Sequence, residues 1–314
     1  MILTATFVML GALAAPQPAE QSRDTRPPQT DQTVPVTRGT RLIIVNYAGE
    51  VIVHAWEKDA VHVVARHGAR ASVAVRPGDG SLSISSSRGA AGSVDYDLTV
   101  PAWMPVKIEG EFNFVNADGL QAEISAETVR GDIVIRGGSG FITARSVQGE
   151  ITIDGARGKI NVSSVNEGVT VTGSSGEIVA DTTNGDVTLS HIESGSIDVT
   201  TVNGDVTFEG VPAANGRYHM ATHNGDIIVA VPETSNITFT VRLYNGEFNS
   251  ALPTRGPAAG QARGGRRVQY TLGTGGAEME LESFGGEIQL RRPGTIRPKG
   301  RDKDKEKARA ERDR

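Results

Sequence analysis

A glycine-led tripeptide returns along the middle of this chain at a nearly fixed interval. It reads Gly131-Asp132-Ile133, Gly149-Glu150-Ile151, Gly168-Val169-Thr170, Gly185-Asp186-Val187, Gly204-Asp205-Val206, Gly225-Asp226-Ile227 and Gly246-Glu247-Phe248. Successive glycines lie 17 to 21 residues apart. A second set falls between the earlier ones: Gly140-Phe141-Ile142, Gly158-Lys159-Ile160, Gly176-Glu177-Ile178 and Gly195-Ser196-Ile197. A fixed internal period is the strongest constraint a sequence can place on architecture. Here the unit is one coil of two short strands, each of about nine residues with its turn.

Within a unit, apolar and polar residues alternate. Val187 and Leu189 fall on one face, Asp186 and Thr188 on the other. Ile133/Ile135, Ile151/Ile153, Ile160/Val162, Ile178/Ala180, Ile197/Val199, Val206/Phe208 and Ile227/Val229 repeat the pattern. Period-two alternation rich in β-branched residues marks half-buried strands. An Asn-Gly pair could also close a two-residue hairpin. A meander, however, has no need of one tripeptide on every other strand. A coil stacked on its own copy does, because equivalent turns meet layer to layer. The expectation is therefore an all-β, single-domain β-solenoid, in which stacking gives a continuous core that no coil buries alone. Seven or eight coils at about 4.8 Å would make a rod of roughly 35 to 40 Å. Gly131, Gly149, Gly168, Gly185, Gly204, Gly225 and Gly246 are expected at the turns, with Gly204 at positive φ. Asn184, Asn203, Asn224 and Asn245 are expected to stack as an amide ladder. Asp186, Asp205 and Asp226, extended by Glu247, should form a solvated carboxylate column.

The rest of the chain sorts by composition. Residues 1–15 are apolar and end on the small-x-small pattern Ala12-Leu13-Ala14, the signature of a secretory signal peptide. No Lys or Arg precedes the apolar run, so the start of translation could lie upstream. Residues 16–33, rich in Pro, Gln, Asp and Thr, read as a disordered linker. The β-solenoid domain is assigned to 34–290. Within it, 34–106 is an irregular cap with the first layers, since terminal repeats are atypical. Regular coils follow over 107–250, a Gly/Pro/Arg-rich loop over 251–267, and closing strands over 268–290. Residues 291–314 carry eleven Lys/Arg against five Asp/Glu and read as a disordered basic tail.

The net charge of −5 leaves the body acidic once the basic tail is set aside, which argues against nucleic-acid binding. There is no cysteine, so thiol chemistry and disulfides are excluded. After the leader no apolar stretch is long enough to span a bilayer. His219 and His223 would make a metal pair on a helix, but on a strand they lie about 13 Å apart. The calcium β-roll motif fails because Ile142 stands where its Asp ligand belongs. No nucleophile elbow or phosphate loop is present.

The repeats Thr183-Asn184-Gly185-Asp186-Val187, Val202-Asn203-Gly204-Asp205-Val206 and His223-Asn224-Gly225-Asp226-Ile227 resemble the bacterial DUF4097 family of adhesin-like β-strand repeat proteins. Leu42-Ile43-Ile44-Val45, Val51-Ile52-Val53 and Leu98-Thr99-Val100-Pro101 fit the same resemblance, which spans roughly residues 36 to 290. It implies a β-solenoid outside the cytoplasm with a role in adhesion or envelope-stress sensing. It supplies no catalytic residue, cofactor or metal ligand. The resulting expectation is an exported, non-catalytic scaffold, periplasmic, cell-surface or secreted, whose partner is an envelope protein or glycan. The alternative is a polysaccharide-acting β-helix enzyme, a lyase or hydrolase, which would need carboxylates gathered in a groove.

Overall fold

The computed structural model describes residues 30–87, 92–257 and 264–294. The expected signal peptide, the linker up to residue 29 and the tail from residue 295 lie outside the described residues. Thr30 to Thr33, expected in the linker, instead begin the strand β1 (Thr30–Pro35).

Each coil crosses two sheets that face one another, and the alternating apolar residues fill the space between them. In the regular part, face 1 holds β8 (Ile124–Arg130), β10 (Ser139–Gln148), β12 (Arg157–Ser164) and β14 (Ser175–Asp181), paired in parallel. Face 2 holds β9 (Ile133–Gly137), β11 (Ile151–Asp154) and β13 (Val169–Thr172), also parallel. Ile124, Ile142, Ile160 and Ile178 therefore stack on one another, as do Ile133, Ile151 and Val169. All seven are essentially unexposed. Like residues in like places are what a repeat needs, because each layer packs on an equivalent one. Three long strands, β2 (Arg41–Trp56), β7 (Val106–Leu120) and β15 (Val187–Asn203), run on round a corner and join both faces into one hydrogen-bonded sheet.

The order of layers departs from chain order at both ends. β2 does not cap the stack. It lies between β7 on one side and, on the other, β5 (Ser81–Ser86) and β6 (Val94–Pro101). The outer boundary is antiparallel: β4 (Val73–Gly78) covers β5, β3 (Ala60–His67) covers β6, and β1 covers β3. At the other end, β16 (Val206–Gly210) is followed by β17 (Arg217–Asn224) and β18 (Ile227–Ala230). The chain then skips a layer to build β19 (Ile237–Leu243), β20 (Phe248–Ser250) and the antiparallel β21 (Arg267–Leu272). Only afterwards do β22 (Ala277–Ser283) and β23 (Ile288–Arg291) fill the skipped layer, pairing with β17 and β18 below and β19 and β20 above.

Successive parallel layers are thus β5/β6, β2, β7, β8/β9, β10/β11, β12/β13, β14/β15, β15/β16, β17/β18, β22/β23 and β19/β20. That is more than the seven or eight expected, and at about 4.8 Å each they span roughly 50 Å. The strand pattern of residues 34–106 and 268–290 already carried these extra layers. What it did not carry was their order.

Candidate functional site

The recurring residues meet at one corner, where the chain passes from face 1 to face 2. Four ladders run along it. The first is steric. A Cβ on Gly204 would overlap the carbonyl oxygen of Gly185, one on Gly225 that of Gly204, and one on Gly149 that of Gly131. Gly131 and Gly246 have positive φ (124° and 142°), whereas Gly149, Gly168, Gly185, Gly204 and Gly225 do not. The expectation of positive φ at Gly204 is therefore corrected: close approach of the layer before it excludes a side chain there. Gly168 is corrected as well. The register of β13 on β15 puts it level with Asp186, and Glu167 stands level with Gly185. Gly286, which lacks the preceding Asn, takes a place in the column between Gly225 and Gly246.

The second ladder is buried and was not foreseen. Ser146, Ser164, Thr182, Thr201, Thr222 and Ser283 donate from their hydroxyls to the corner carbonyls of Gly131, Gly149, Glu167, Gly185, Gly204 and Gly225, at 2.9 to 3.3 Å. Each satisfies a carbonyl that the turn removes from the strand ladder. One layer inverts the scheme. Gly110 is level with Thr128 and Asn113 with Gly131. The Asn113 side chain occupies the space that a Cβ on Gly110 would need, and donates to the Asn46 carbonyl at 2.8 Å.

The third ladder is the row of amides. Asn203 donates to the Asn184 side-chain oxygen at 2.9 Å and Asn224 to that of Asn203 at 2.9 Å. Asn184 donates to Asn166 at 3.2 Å, a member missed because Glu167 separates it from its glycine. Asn245 is placed elsewhere than expected. The skipped layer, with Gly285 level with Asn224, stands between it and the row.

The fourth ladder uses the carboxylates. Asp186 accepts the backbone N–H of Asp205 at 2.8 Å, Asp205 that of Asp226 at 2.9 Å, and Asp226 that of Glu287 at 2.9 Å. Asp132 accepts that of Glu150 at 2.8 Å. The carboxylates stay at least partly open to solvent, as expected, but they do not splay: each bonds into the next layer, and Glu287 rather than Glu247 follows Asp226. Glu150 has its pKa raised by partial desolvation, then by Asp132 and Glu167 nearby.

One open groove lies on face 1, over the late layers. It has a volume of about 480 Å³ and opens where the regular period gives way to the skipped layer. Two outward rows line it. Asp198, His219, Glu280 and Thr240 stand level across β15, β17, β22 and β19, and Ser196, Arg217, Glu278 and Thr238 form the row beside them. His219 Nδ1 lies 2.8 Å from Asp198 Oδ1, and Arg267 holds Glu280 at 2.8 Å. Tyr218 forms the floor. Its hydroxyl donates to the Ser194 carbonyl at 2.5 Å and accepts from the Ala213 N–H at 2.8 Å, while burial pushes its pKa up. His223 turns instead to the corner and stacks on Phe284, ring centres 4.6 Å apart.

Compared with known proteins, residues 19–291 match the family described as Toastrack DUF4097. Nothing matches among curated proteins. A solved structure of a candidate cell adhesion protein from Clostridium sporogenes aligns over 84% of this chain and 100% of its own, at 12% identity and a TM-score of 0.25.

Proposed function

Because this chain belongs to the Toastrack DUF4097 family, we propose that it works outside the cytoplasm as a non-catalytic β-solenoid scaffold of the cell envelope, in adhesion or stress sensing, and holds an envelope component on its face 1 groove. The observation that carries this reading is the groove itself. It is a shallow concavity of mixed polar and apolar lining on the part of the stack where the regular period fails, and local departures from a fold's own rule tend to mark function. Its side chains offer both charges, hydroxyls and an imidazole, a set that suits a polar glycan or a peptide. The apolar run at residues 1–15 favours export, and a chain without cysteine is held there by its stacked apolar core and its backbone ladder.

The test uses the full chain and isolated envelope fractions. Saturable binding that weakens in Arg217→Ala and Glu278→Ala, with no product released, is the expected result. Recovery of the native protein only from the cytosol would sink the export reading. The enzyme alternative draws on Asp198, His219 and Glu280 standing in one row of the groove. Glycan turnover abolished by Asp198→Asn or Glu280→Gln would replace the scaffold reading with it.

A further inference from the structure

Asparagine stands directly before glycine at Asn184, Asn203, Asn215, Asn224 and Asn245. An Asn-Gly pair is open to attack by the glycine's backbone nitrogen on the asparagine's own side-chain carbonyl carbon, because glycine has no Cβ to hinder the approach and is conformationally free. The fold sorts these pairs. Asn184, Asn203 and Asn224 are pinned in the amide row. Asn203 donates to Asn184 and accepts from Asn224, and the attacking group itself, the Gly204 N–H, donates to the Asn224 carbonyl at 3.0 Å. Asn245 is exposed, but its backbone N–H donates to the Phe284 carbonyl at 2.8 Å and its glycine is wedged against the Gly286 carbonyl. Asn215 stands apart from the row, exposed in the turn between β16 and β17. That turn is spanned by a backbone bond from the Gly216 N–H to the Ala213 carbonyl at 3.0 Å, and among the described residues the Asn215 side chain has no hydrogen-bond partner.

We propose that Asn215 is a site of spontaneous self-modification, where the side-chain amide is lost to the Gly216 nitrogen while the amide row protects the equivalent pairs inside the stack. A bond forms from Gly216 N to Asn215 Cγ as the bond from Cγ to Nδ2 breaks, and ammonia leaves with the glycine's amide proton. Water then opens the cyclic imide at either carbonyl. Opening at the side-chain carbonyl gives an aspartyl residue; opening at the main-chain carbonyl gives an isoaspartyl residue and adds one methylene to the backbone. The attack needs the turn to open, and a surface turn opens at far lower cost than a strand inside the stack. The same turn is tied to the face 1 groove. The Gly216 carbonyl accepts from the Glu278 N–H at 2.9 Å, and the Ala213 N–H donates to the Tyr218 hydroxyl at 2.8 Å. A lengthened backbone loosens both ties, so the modification reaches the groove floor and the inserted strand β22.

Timed incubation of the full chain in warm, mildly alkaline buffer, followed by peptide mass mapping, tests this. Asn215 should convert at least about tenfold faster than Asn184, Asn203 or Asn224, with Asn245 between, because the opening required is cheapest in the turn. In denaturant, where only the shared dipeptide remains, the rates should converge. Asn215→Gln, whose longer side chain closes the imide ring far more slowly, should remove the leading product. Asn184→Ala combined with Asn224→Ala frees Asn203 on both sides and should raise its conversion several-fold. In the isoaspartyl form the Glu278 amide should exchange hydrogen faster. Conversion at Asn215 no faster than in the row, or an intact Asn215 under conditions that convert the denatured chain, overturns the site. An Asn203 that stays slow once freed overturns protection by the row, and unchanged exchange at Glu278 overturns the link to the groove.

Discussion

Glycine at this corner answers to the neighbouring layer more than to its own dihedral angles. Gly204→Ala should therefore be severe, because even one methyl group meets the Gly185 carbonyl and backbone cannot swing aside as a flexible side chain can. Gly195→Ala is the control. Its added Cβ would have Ala213 Cβ at 4.0 Å as its nearest neighbour, with no positive φ to strain it. Thermal melts should separate the two clearly; equal losses would show that the corner yields. The amide row gives a second comparison. Asn203 bonds on both sides, so Asn203→Ala should cost about 1 to 2 kcal/mol, whereas Asn245→Ala, outside the row, should cost a few tenths. Urea midpoints that fall together would remove the row as a stabilising element. Glu150 gives the third. Its folded pKa is raised, so ionising it costs the fold stability above that pKa, and the cost disappears below the unfolded value near 4.3. Glu150→Gln should accordingly melt above wild type at pH 7 and level with it by about pH 4; a gap independent of pH would exclude the carboxyl as its cause. These residues also show what was legible beforehand. The Asn-Gly-Asp copies revealed phase and stacking because three ladders demand those types at those places. Asn166 stayed hidden because Glu167 fills the glycine position, and the Ser/Thr row because a buried hydroxyl two residues ahead of an Asn reads as an ordinary polar strand residue.

At the scale of elements, the informative strands are the late ones. β22 reads like any other strand, with Ala277, Met279 and Leu281 inward and Glu278, Glu280 and Glu282 outward. That alternation fits any layer, so the sequence carried no sign that β22 and β23 lie inside the stack while β19 and β21 lie outside. Layer order at the ends depends on which open edge the returning chain meets, and alternation is blind to it. The face 1 groove escaped notice for the same reason. Asp198 and Glu280 are 82 residues apart in sequence, and only the insertion of β22 beside β17 sets them in one row. Position inside the stack has an energetic consequence. Leu281 is fully buried with a parallel neighbour on each side, whereas Val268 of the edge strand β21 has a partner strand on one side. Leu281→Ala should cost about 3 kcal/mol and expose residues 237–272 to protease along with β22. Val268→Ala should cost less and leave the cleavage pattern of β17 and β18 unchanged. Matching patterns in the two variants would argue against an inserted layer.

The whole molecule is a stack whose ends are closed by chain order as well as by capping strands. In a simple solenoid each layer touches only its neighbours, so terminal layers open first and protection climbs smoothly toward the middle. Here the last strands in sequence lie one layer in from the end. Opening β19 and β20 uncovers β22 and β23, while opening β22 and β23 leaves β19 and β20 joined to the stack by their connections alone. Residues 237–291 should therefore open as one cooperative unit. The N-terminal end repeats the device, since β2 is held between β7 and the later strands β5 and β6, so residues 41–101 should form a second unit. Between them the regular layers from β8 to β16 should be lost in steps, layer after layer. Native-state hydrogen exchange under increasing denaturant distinguishes these cases. The expected record is two plateaus, in which amides of β19 and β23 share one opening free energy and those of β2 and β6 share another. A monotonic gradient running from β20 back through β23 to β18 would show that the inserted layer confers no cooperativity, and that the end frays like that of an ordinary repeat array.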